Sequence, residues 1–354
     1  MNDKIVGIGL MSGTSLDGID LAVCEFDFSE SKPAFRILKA KTFEYDEIWR
    51  SRLRMSMQIS GHELMKLDCD YGKFSADRIN DFLESEKLKI DFISSHGHTV
   101  FHQPEHSFST QIGSGAVIAA QTGVDTICDF RSTDVALGGQ GAPLVPVGDE
   151  LLFSDYDACL NIGGIANISF KKGGHRIAFD ICAANMILNF LAEKLDKKMD
   201  EGGELAKRGN IQAVLLQNLN MHPFFQITEK KSLGKEWVEE NMIRKIEMSN
   251  VAILDKLRTC TEHIAQKIAE VIIKNKLKKI LVTGGGTYNG FLIERIRSLT
   301  QEEIIIPENQ IVEFKEALIF ALLGALRLKN KINVLSSVTG AKRNSCSGTV
   351  YLGS

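Results

Sequence analysis

The sequence predicts an α/β protein of two domains, and three observations lead to that prediction. The chain has 354 residues, a length more typical of two domains than of one. Apolar β-type segments alternate with amphipathic helical segments along most of its length. The two halves also begin alike, with a strand, a glycine-rich turn and a second strand. We therefore expect two similar α/β domains.

The first half is expected to open with a strand meander. Segments 4–10, 19–28 and 35–43 are rich in Ile, Val and Phe and are separated by turn residues. Residues 46–85 are charged and have helical spacing. A strand at "DFISSHG", a helix at 115–122 and a strand at "VDTICDF" follow.

A second meander is predicted at "ACLNIGGIANISF" and "RIAFDICAA", followed by a helix over 251–276, the strand "KKILVTGGG" and the helix "KEALIFALLGALRL". We take the glycine-rich stretch "RSTDVALGGQGAPLVP" as the domain junction. This predicts an N-terminal domain over 1–130 and a C-terminal domain over 131–334. The tail, about 335–354, is expected to pack back onto the first domain.

Composition argues against several classes of protein. The 44% hydrophobic and 25% charged residues are those of an ordinary soluble globular protein. A net charge of −3 gives no reason to expect nucleic acid or an anionic membrane as a partner. No apolar run approaches the ~20 residues needed to cross a bilayer, and the N-terminus lacks a signal-peptide core. The seven scattered cysteines contain no CxxC pair, which favours reduced thiols in a cytoplasm.

The stretch "GIGLMSGTSLDGIDLAV" carries the first candidate site. Backbone N–H groups of the turn Ser12, Gly13, Thr14 and Ser15, together with its hydroxyls, are suited to an anion. Asp17 would repel a bare phosphate, so it fits best if a divalent cation bridges carboxylate and phosphate. On this stretch alone, an ordinary hairpin turn is an equally open interpretation. The P-loop pattern GxxxxGK[ST] is absent.

Two later glycine turns favour the ligand interpretation. Gly163 and Gly164 come directly after one strand, and the run Gly284, Gly285 and Gly286 lies between another strand and a helix. Such turns allow the backbone to approach a flat or charged ligand closely. A hairpin from each half and a late glycine turn together predict a nucleotide clamped between two similar domains.

Asp180 is a candidate general base, because it ends the strand "RIAFD", where a carboxylate emerges at the edge of a sheet. The alternative is the N-cap of the helix "ANMILNFLAEKL", which its position alone favours. Glu316 is expected to open the helix "EALIFALLGALRL", where a first-turn acid complements the helix dipole. Arg131 suits a carboxylate or a phosphoryl group. A structural Arg131–Asp134 pair at the junction is an equally open alternative.

Four histidines, His96, His98, His102 and His106, fall within "HGHTVFHQPEH". The last three have the i, i+4 spacing of a helical zinc site. The glycine, the β-branched pair and the proline within the stretch all oppose a helix. We therefore disfavour zinc.

The pattern of three turns, at residues 12–15, 163–164 and 284–286, resembles that of the actin, hexokinase and sugar-kinase superfamily. Within it, nearly the whole chain resembles the anhydro-N-acetylmuramic acid kinase family. The matching stretches are "GLMSGTSLDGID", "SSHGHTVFHQP", "DFRSTDVALGGQGAPLVP", "LNIGGIANIS", "GGELAKRG", "GGGTYNGFL", "EALIFALLGA" and "VTGAKRN".

The resemblance implies a two-domain actin-like ATPase (ribonuclease H-like) fold with an interdomain nucleotide cleft. It also implies a kinase of murein recycling that opens the 1,6-anhydro ring of its sugar with water and phosphorylates the 6-oxygen from ATP and Mg²⁺. A homodimer is a further implication.

Roles carry over position by position. Asp180 would be the base, Asp17 the Mg²⁺ ligand through the ATP phosphates, and Glu316 a catalytic residue that faces the sugar. The cofactor-binding residues would be Ser12, Gly13, Thr14, Ser15, Asp17, Gly163, Gly164, Asn167, Gly284, Gly285, Gly286 and Asn289. The substrate-binding residues would be His98, Thr99, His102, Arg131, Asn185 and Glu316.

The chain departs from the family pattern at one place. Where the family usually reads Thr-Gly-Pro-Gly-Asn after the catalytic Asp, this chain has residues 181–185, "ICAAN", and a later acid is replaced by Asn189. Alanine lacks the backbone freedom of glycine, so this loop is expected to differ in shape. A kinase of a related N-acetylated amino sugar and a non-catalytic, nucleotide-switched module are the alternatives.

Overall fold

The computed structural model describes residues 3–13, 16–227 and 232–353. The strands are β1 (Lys4–Ser12), β2 (Gly18–Asp27), β3 (Ala34–Glu44), β4 (Phe92–Ser95), β5 (His98–Gln103), β6 (Phe108–Ile112), β7 (Thr126–Cys128), β8 (Ala158–Ile162), β9 (Ile165–Lys172), β10 (His175–Ala183), β11 (Lys279–Thr283), β12 (Glu303–Ile305) and β13 (Thr349–Tyr351). The α-helices are α1 (Glu47–Met55), α2 (Gly61–Glu86), α3 (Gly115–Thr122), α4 (Ser132–Ala136), α5 (Pro146–Leu152), α6 (Asn185–Glu193), α7 (Glu204–Lys207), α8 (Ala213–Asn220), α9 (Lys235–Val238), α10 (Arg244–Met248), α11 (Ile253–Lys274), α12 (Gly290–Thr300), α13 (Asn309–Leu328) and α14 (Ser336–Thr339). Both meanders lie where the sequence predicts them.

The chain divides into two compact units. Unit 1 comprises Met1–Phe153 and Phe314–Ser354, and unit 2 comprises Ser154–Glu313. These divisions differ from the expected ones at 130/131 and 334/335. The glycine-rich stretch that suggested a junction therefore belongs to unit 1.

The packing of residues 131–153 explains this difference. Asp134 is fully buried, and its carboxylate accepts hydrogen bonds from Gly141 N at 2.8 Å and Thr339 Oγ1 at 2.7 Å. Asp149 forms a buried ion pair with Lys315 at 2.7 Å. Because Thr339 and Lys315 belong to the C-terminal part of unit 1, both contacts attach the stretch to that unit.

The sheet of unit 1 has the strand order β13-β7-β4-β1-β2-β3. The pairs β1–β2 and β2–β3 are antiparallel, whereas β1–β4 and β4–β7 are parallel. The C-terminal strand β13 adds to this sheet by pairing antiparallel with β7. Helix α13 packs directly on β1, because a Cβ added at Gly9 would overlap the backbone of Ala317.

Helix α2 covers part of this sheet and has a well-defined start. Ser60 Oγ accepts from Glu63 N, and the Glu63 carboxylate accepts from Ser60 N, which together form a capping box. The apolar face of α2 contributes Leu67, Tyr71 and Ile79 to the core of unit 1. Tyr71 matters below, because its hydroxyl joins a buried hydrogen-bonded chain.

The sheet of unit 2 has the order β10-β9-β8-β11-β12. Here too the first two pairings are antiparallel, and the pairs of β11 with β8 and β12 are parallel. Its core packs the sheet against helices that include α11, whose buried residues include Leu257, Ile264 and Ile268. The two units thus repeat one topology, an antiparallel meander extended by parallel strands.

Within the part of the chain that the structure describes, no helix combines the length and apolar character that a bilayer span requires.

Candidate active site

The loop between β1 and β2 presents an acid to solvent. Tyr45 N donates to Asp17 O at 3.1 Å, which fixes the backbone there, while the Asp17 side chain is exposed. Gly13 O accepts from Leu16 N at 3.4 Å. The predicted phosphate contacts of Thr14 and Ser15 lie outside the described residues. The loop therefore offers a carboxylate to a ligand or a cation in solvent.

Ser12 behaves differently from the prediction, because its hydroxyl faces the interior of unit 1. Ser12 Oγ lies 2.7 Å from Tyr45 Oη and 2.9 Å from His98 Nδ1, and Tyr45 Oη lies 2.5 Å from Tyr71 Oη. All four side chains are buried. The Ser12 hydroxyl is thus committed to this internal chain and is not directed to a phosphate.

In the histidine stretch, His98 and His102 lie on β5, which pairs with β6, and His106 ends a short 3-10 helix at Pro104–His106. The three histidines therefore do not share one α-helix. Thr99 Oγ1 accepts from Gln111 Nε2 at 3.4 Å, and His102 Nδ1 lies 3.0 Å from Ser109 Oγ. Burial lowers the pKa of His98 to about 4, so this imidazole is neutral near pH 7. The pKa of His102 is lowered by burial first and by Arg131 second, with Glu105 opposing.

Arg131 is held by two hydrogen bonds. Its NH1 donates to Gly141 O and its NH2 to His96 Nε2, each at 2.7 Å. His96 Nδ1 lies 2.8 Å from Gly97 O and must be its donor, which fixes the tautomer of this ring. Burial, followed by Arg131, lowers the pKa of His96 to about 3. Burial lowers the pKa of Arg131 to about 10, with Glu316 opposing, so the guanidinium stays charged at neutral pH.

The proposed structural pair of Arg131 and Asp134 is wrong in its direct form. The two side chains bind opposite ends of one residue, since Gly141 O accepts from Arg131 and Gly141 N donates to Asp134. Asp134 thereby fixes the turn at Gly141, whose carbonyl oxygen accepts the hydrogen bond from Arg131. The sequence offered no sign of this indirect arrangement.

Glu316 does not open its helix, because α13 begins at Asn309. Residues 309–315, "NQIVEFK", continue the helix upstream of the recognised motif. The first-turn dipole argument for Glu316 therefore fails. Its side chain is accessible to solvent, yet the surrounding protein makes desolvation the largest cause of its raised pKa, followed by the charge of Asp20, while Lys315 and Arg131 oppose the rise. An acid whose pKa is raised in this way is a candidate functional residue.

Asp20 is a nearby acid that the sequence analysis missed. It is half-buried in β2, and its Oδ1 accepts from Thr42 Oγ1 at 2.6 Å. Its charge reaches both Glu316 and Tyr45. The signal available in the sequence was the second acid of "LDGID", which falls inside the strand.

In unit 2, the glycine turn between β8 and β9 is anchored by the start of α6. Ala184 N donates to Gly164 O at 2.8 Å, and Asn185 N donates to Gly163 O at 3.1 Å. Asn185 Nδ2 also donates to Ile162 O at 3.4 Å. Because the carbonyl oxygens of Gly163 and Gly164 accept these backbone hydrogen bonds from the start of α6, the position of the turn is well defined.

A row of polar residues crosses the sheet of unit 2 at the edge that carries this turn. Asp180 on β10 pairs with Asn167 on β9, Asn167 pairs with Asn161 on β8, and Asn161 pairs with Thr283 on β11. Residues directly opposite each other on neighbouring strands project to the same face. The structure thus brings the predicted base and the predicted cofactor residue Asn167 side by side.

Asp180 lies inside β10, directly before the bulge at Ile181, so it does not end its strand, and it does not cap α6, whose N-cap is Ala184. The N-cap interpretation is therefore wrong. Asp180 Oδ2 accepts from Leu233 N at 2.7 Å and from Ser232 Oγ at 3.3 Å. A carboxylate held by a backbone N–H has a fixed direction, as a positioned base requires.

The residues that depart from the family pattern are buried. Ile181, Cys182, Ala183 and Ala184 are all at most 1% exposed and belong to the core of unit 2. Ile181 is the extra residue of the bulge, and Cys182 and Ala183 continue β10 beyond it. The departure therefore changes packing beneath the site, and this segment is a strand end instead of an open loop.

The third glycine turn approaches β8 closely. Gly284 has φ +86°, and an added Cβ would lie 2.5 Å from Asn161 Oδ1. A Cβ at Gly286 would overlap the side chain of Ile162. Asn289 is buried, and its Oδ1 accepts from Leu292 N at 3.0 Å as the N-cap of α12. Its observed role is thus to cap the helix that follows the turn.

Each unit therefore carries polar groups and a glycine- or hydroxyl-rich hairpin at corresponding positions of one repeated topology. This duplicated ribonuclease H-like architecture defines the class of actin-like ATPases and sugar kinases. The sequence profile of the anhydro-N-acetylmuramic acid kinase family matches residues 5–353. The chain belongs to that family.

Individual relatives agree with this assignment. The anhydro-N-acetylmuramic acid kinase of Sulfurimonas denitrificans is 34% identical over 368 aligned positions, which cover 97% of this chain and 98% of the relative. That of a Sulfurovum species is 36% identical, with 98% of each chain covered. Among solved structures, the activator of 2-hydroxyisocaproyl-CoA dehydratase from Clostridium difficile, with bound ADPNP, is 12% identical with a TM-score of 0.45, covering 92% of this chain and 97% of the activator. That likeness is too weak to bear on either fold or function.

Proposed function

We propose that this chain is an ATP-dependent kinase that hydrolytically opens the 1,6-anhydro ring of anhydro-N-acetylmuramic acid and phosphorylates its 6-oxygen. The product is N-acetylmuramic acid 6-phosphate, an intermediate of cell-wall recycling. The observation that carries the proposal is the family match over residues 5–353. The fixed carboxylate of Asp180 supports it, because the reaction requires a base.

The role of Asp180 follows from the chemistry of the anhydro sugar. The 6-oxygen is locked in an ether bridge and has no proton to give. Water attacks carbon 1 and loses a proton to Asp180, the bond from carbon 1 to the 6-oxygen breaks, and the departing oxygen attacks the γ-phosphorus of ATP. ADP leaves as the oxygen–phosphorus bond forms. The phosphoryl group thus stabilises the leaving oxygen, as a proton does in a glycosidase.

Asp17 fits a role as a Mg²⁺ ligand. Mg²⁺ keeps several waters and takes one or two carboxylates together with substrate phosphates. A single exposed carboxylate on a backbone fixed through Tyr45 N matches that requirement. When bound, the ion neutralises negative charge on the phosphates. Asp17 itself would contribute a negative charge and an oxygen ligand that positions the ion at the β1–β2 loop.

The remaining cofactor contacts are assigned by position. We assign the ATP phosphates to the β1–β2 loop of unit 1 and to Gly163 and Gly164 of unit 2, and the nucleoside to the turn at 284–286. Asn167 and Asn289 are assigned with them, Asn167 beside Asp180 in the polar row and Asn289 through the start of α12.

The sugar is assigned to the groups gathered around Arg131 in unit 1. Arg131 and Glu316 interact electrostatically, and the charge of Arg131 reaches His102. His98 and Thr99 follow on β5, while Asn185 is the contribution of unit 2. A charged guanidinium suits the lactyl carboxylate of the sugar.

One assay tests the proposal against both alternatives. Purified protein is mixed with ATP and Mg²⁺, and ADP release is measured with anhydro-N-acetylmuramic acid, with N-acetylmuramic acid, with N-acetylglucosamine and with no sugar. We expect ADP release with the anhydro sugar and a phosphomonoester on its carbon 6. Sugar-independent release would favour the nucleotide-switched module. A preference for a ring-opened sugar would favour the related kinase.

The homodimer and the cytoplasmic location remain predictions from the family resemblance and the cysteine pattern. Light scattering of the purified chain, with and without nucleotide, measures the first directly. A monomer at all concentrations used for catalysis would contradict it.

A further inference from the structure

A chain of three hydroxyl groups ends on the ring of His98. We call Tyr71, Tyr45 and Ser12 the hydroxyl chain, because Tyr71 Oη contacts Tyr45 Oη at 2.5 Å and Tyr45 Oη contacts Ser12 Oγ at 2.7 Å. Ser12 Oγ in turn lies 2.9 Å from His98 Nδ1. Tyr71 is fully buried, and the other three side chains are nearly so. His98 has the largest exposed fraction of the four side chains, 4%.

The number of protons decides the direction of the chain. Each hydroxyl has one proton to donate. If Tyr71 donates to Tyr45, Tyr45 to Ser12 and Ser12 to His98 Nδ1, all three protons have acceptors. In the reverse direction, the proton of Tyr71 has no acceptor among the described residues, at a fully buried position. A buried donor without a partner is costly, so the first direction is favoured.

The first direction leaves Nδ1 of His98 as an acceptor. Burial lowers the pKa of His98 to about 4, so its ring carries one proton near pH 7. That proton must then lie on Nε2. Within the described residues Nε2 makes no hydrogen bond, and it is not sealed from solvent as Nε2 of His263 is. It is therefore placed to donate to a bound molecule.

We propose that the hydroxyl chain holds His98 as the Nε2–H tautomer, and that Nε2–H donates to an uncharged oxygen of the sugar, a hydroxyl or the acetamido carbonyl. Tyr71, Tyr45 and Ser12 are positioning residues in this arrangement, because they act through His98. The assignment of the tautomer does not depend on the proposed function. The donation from Nε2–H to the sugar does rest on the proposed function.

His96 provides an internal reference of the opposite tautomer. Its Nδ1 donates to Gly97 O and its Nε2 accepts from Arg131 NH2. Two neutral histidines two positions apart are therefore expected to carry their protons on different nitrogens. The contrast makes the assignment measurable within one sample.

The test is the ¹⁵N spectrum of the protein labelled at its histidine rings, recorded between pH 7 and 8. Resonances are assigned with His98→Gln and His96→Gln. We expect a protonated Nε2 and an unprotonated Nδ1 for His98, and the reverse for His96. A protonated Nδ1 on His98, or shifts averaged over both forms, would overturn the tautomer assignment.

Two serine variants test the cause. Ser12→Ala removes the donor to His98 Nδ1, so the ring shifts should move toward the average of the two tautomers. Ser75→Ala is the matched control, because Ser75 is a buried serine that donates to Tyr71 O at 2.8 Å without joining the hydroxyl chain. It should leave His98 and the activity unchanged. If His98 keeps a single Nε2–H form in Ser12→Ala, the hydroxyl chain does not fix the tautomer.

The donation to the sugar has its own readout. With ADP present, addition of anhydro-N-acetylmuramic acid should shift the Nε2 resonance of His98. His98→Gln, which keeps an N–H donor near that position, should raise KM for the sugar less than His98→Asn, whose effect should be about five- to tenfold. An unmoved resonance and equal KM values would refute the donation and leave the tautomer intact. Absence of any sugar phosphorylation by the wild type would instead refute the proposed function.

Discussion

The two units share one strand topology but place their acids differently. In unit 1, Asp20 lies on the middle strand of the meander and Glu316 lies on helix α13. In unit 2, Asp180 lies on the outer strand of the meander, and the corresponding middle-strand position holds Asn167. The third residue of the middle strand is thus an acid in one unit and an amide in the other.

The difference indicates how a duplicated fold acquires distinct roles. In unit 1, Glu316 interacts electrostatically with Asp20, Arg131 and Lys315, so it forms part of a mixed-charge group suited to binding and orienting a polar ligand. Asp180 is held by the backbone of Leu233 beside neutral Asn167, which suits a base that must take one proton. The predictions below test this division.

Asp180→Asn should have the largest effect. The amide keeps the shape of the side chain but cannot accept a proton from water, so turnover should fall by roughly 10²–10⁴-fold. Ring opening and phosphorylation should be lost together, because both belong to one step. The measurement is ADP release together with NMR of the sugar.

Ser232→Ala is the control for this variant. It removes the 3.3 Å contact to Asp180 but leaves the one from Leu233 N. Its turnover should change by less than about tenfold. Substantial turnover of the anhydro sugar by Asp180→Asn would assign the base to another residue and remove the contrast between the units.

Asp17→Asn should lower turnover by roughly 10²–10³-fold, because one source of charge stabilisation is lost. ADP binding, measured by calorimetry, should persist, since the glycine turns are intact. Glu30→Gln is the matched control, an exposed acid of unit 1 outside the site, and should be neutral. Near-normal Mg²⁺-dependent turnover of Asp17→Asn would exclude Asp17 from the mechanism.

Gly284→Ala should destabilise unit 2 more than Gly174→Ala. Both glycines have similar positive φ, +86° and +81°, but only Gly284 has atoms within 4 Å of an added Cβ. The difference in free energy of unfolding should be about 1–3 kcal/mol, measured by urea denaturation. Equal effects would show that the turn is not held against β8 in solution.

Glu316→Gln should produce the smallest effect, a modest rise in melting temperature at neutral pH. Because desolvation raises the pKa of Glu316, its ionised form opposes folding, and protonation as the pH falls relieves that cost. The advantage of the variant should therefore shrink as the pH is lowered. A melting temperature that falls at neutral pH would show that the ionised acid stabilises unit 1.

The sequence predicted the elements whose signals are local. Both meanders and helix α3 follow from apolar periodicity and turn residues, whereas Asp180, which was expected to end its strand, lies inside β10. The hydroxyl chain did not, because Ser12, Tyr45, Tyr71 and His98 are brought together only by tertiary packing. The assignment of residues 131–153 to unit 1 was missed for the same reason, since it depends on Thr339 and Lys315 far along the chain.

The start of α13 shows a different limit. The recognised motif begins at Glu316, but the helical spacing continues upstream to Asn309. A motif marks where chemistry is concentrated, and it carries no information about where the helix begins. Glu316 was correctly predicted to lie in a helix, but its predicted position at the start of that helix was wrong.

The central claim is that water attacks carbon 1 of the sugar and that the 6-oxygen displaced from carbon 1 takes the phosphoryl group. The reaction is run in ¹⁸O-labelled water and quenched before the hemiacetal oxygen exchanges, and the product is analysed by mass spectrometry. The account predicts label on carbon 1 of the sugar and none in the transferred phosphate. Label in the phosphate, or an unlabelled carbon 1, would contradict it.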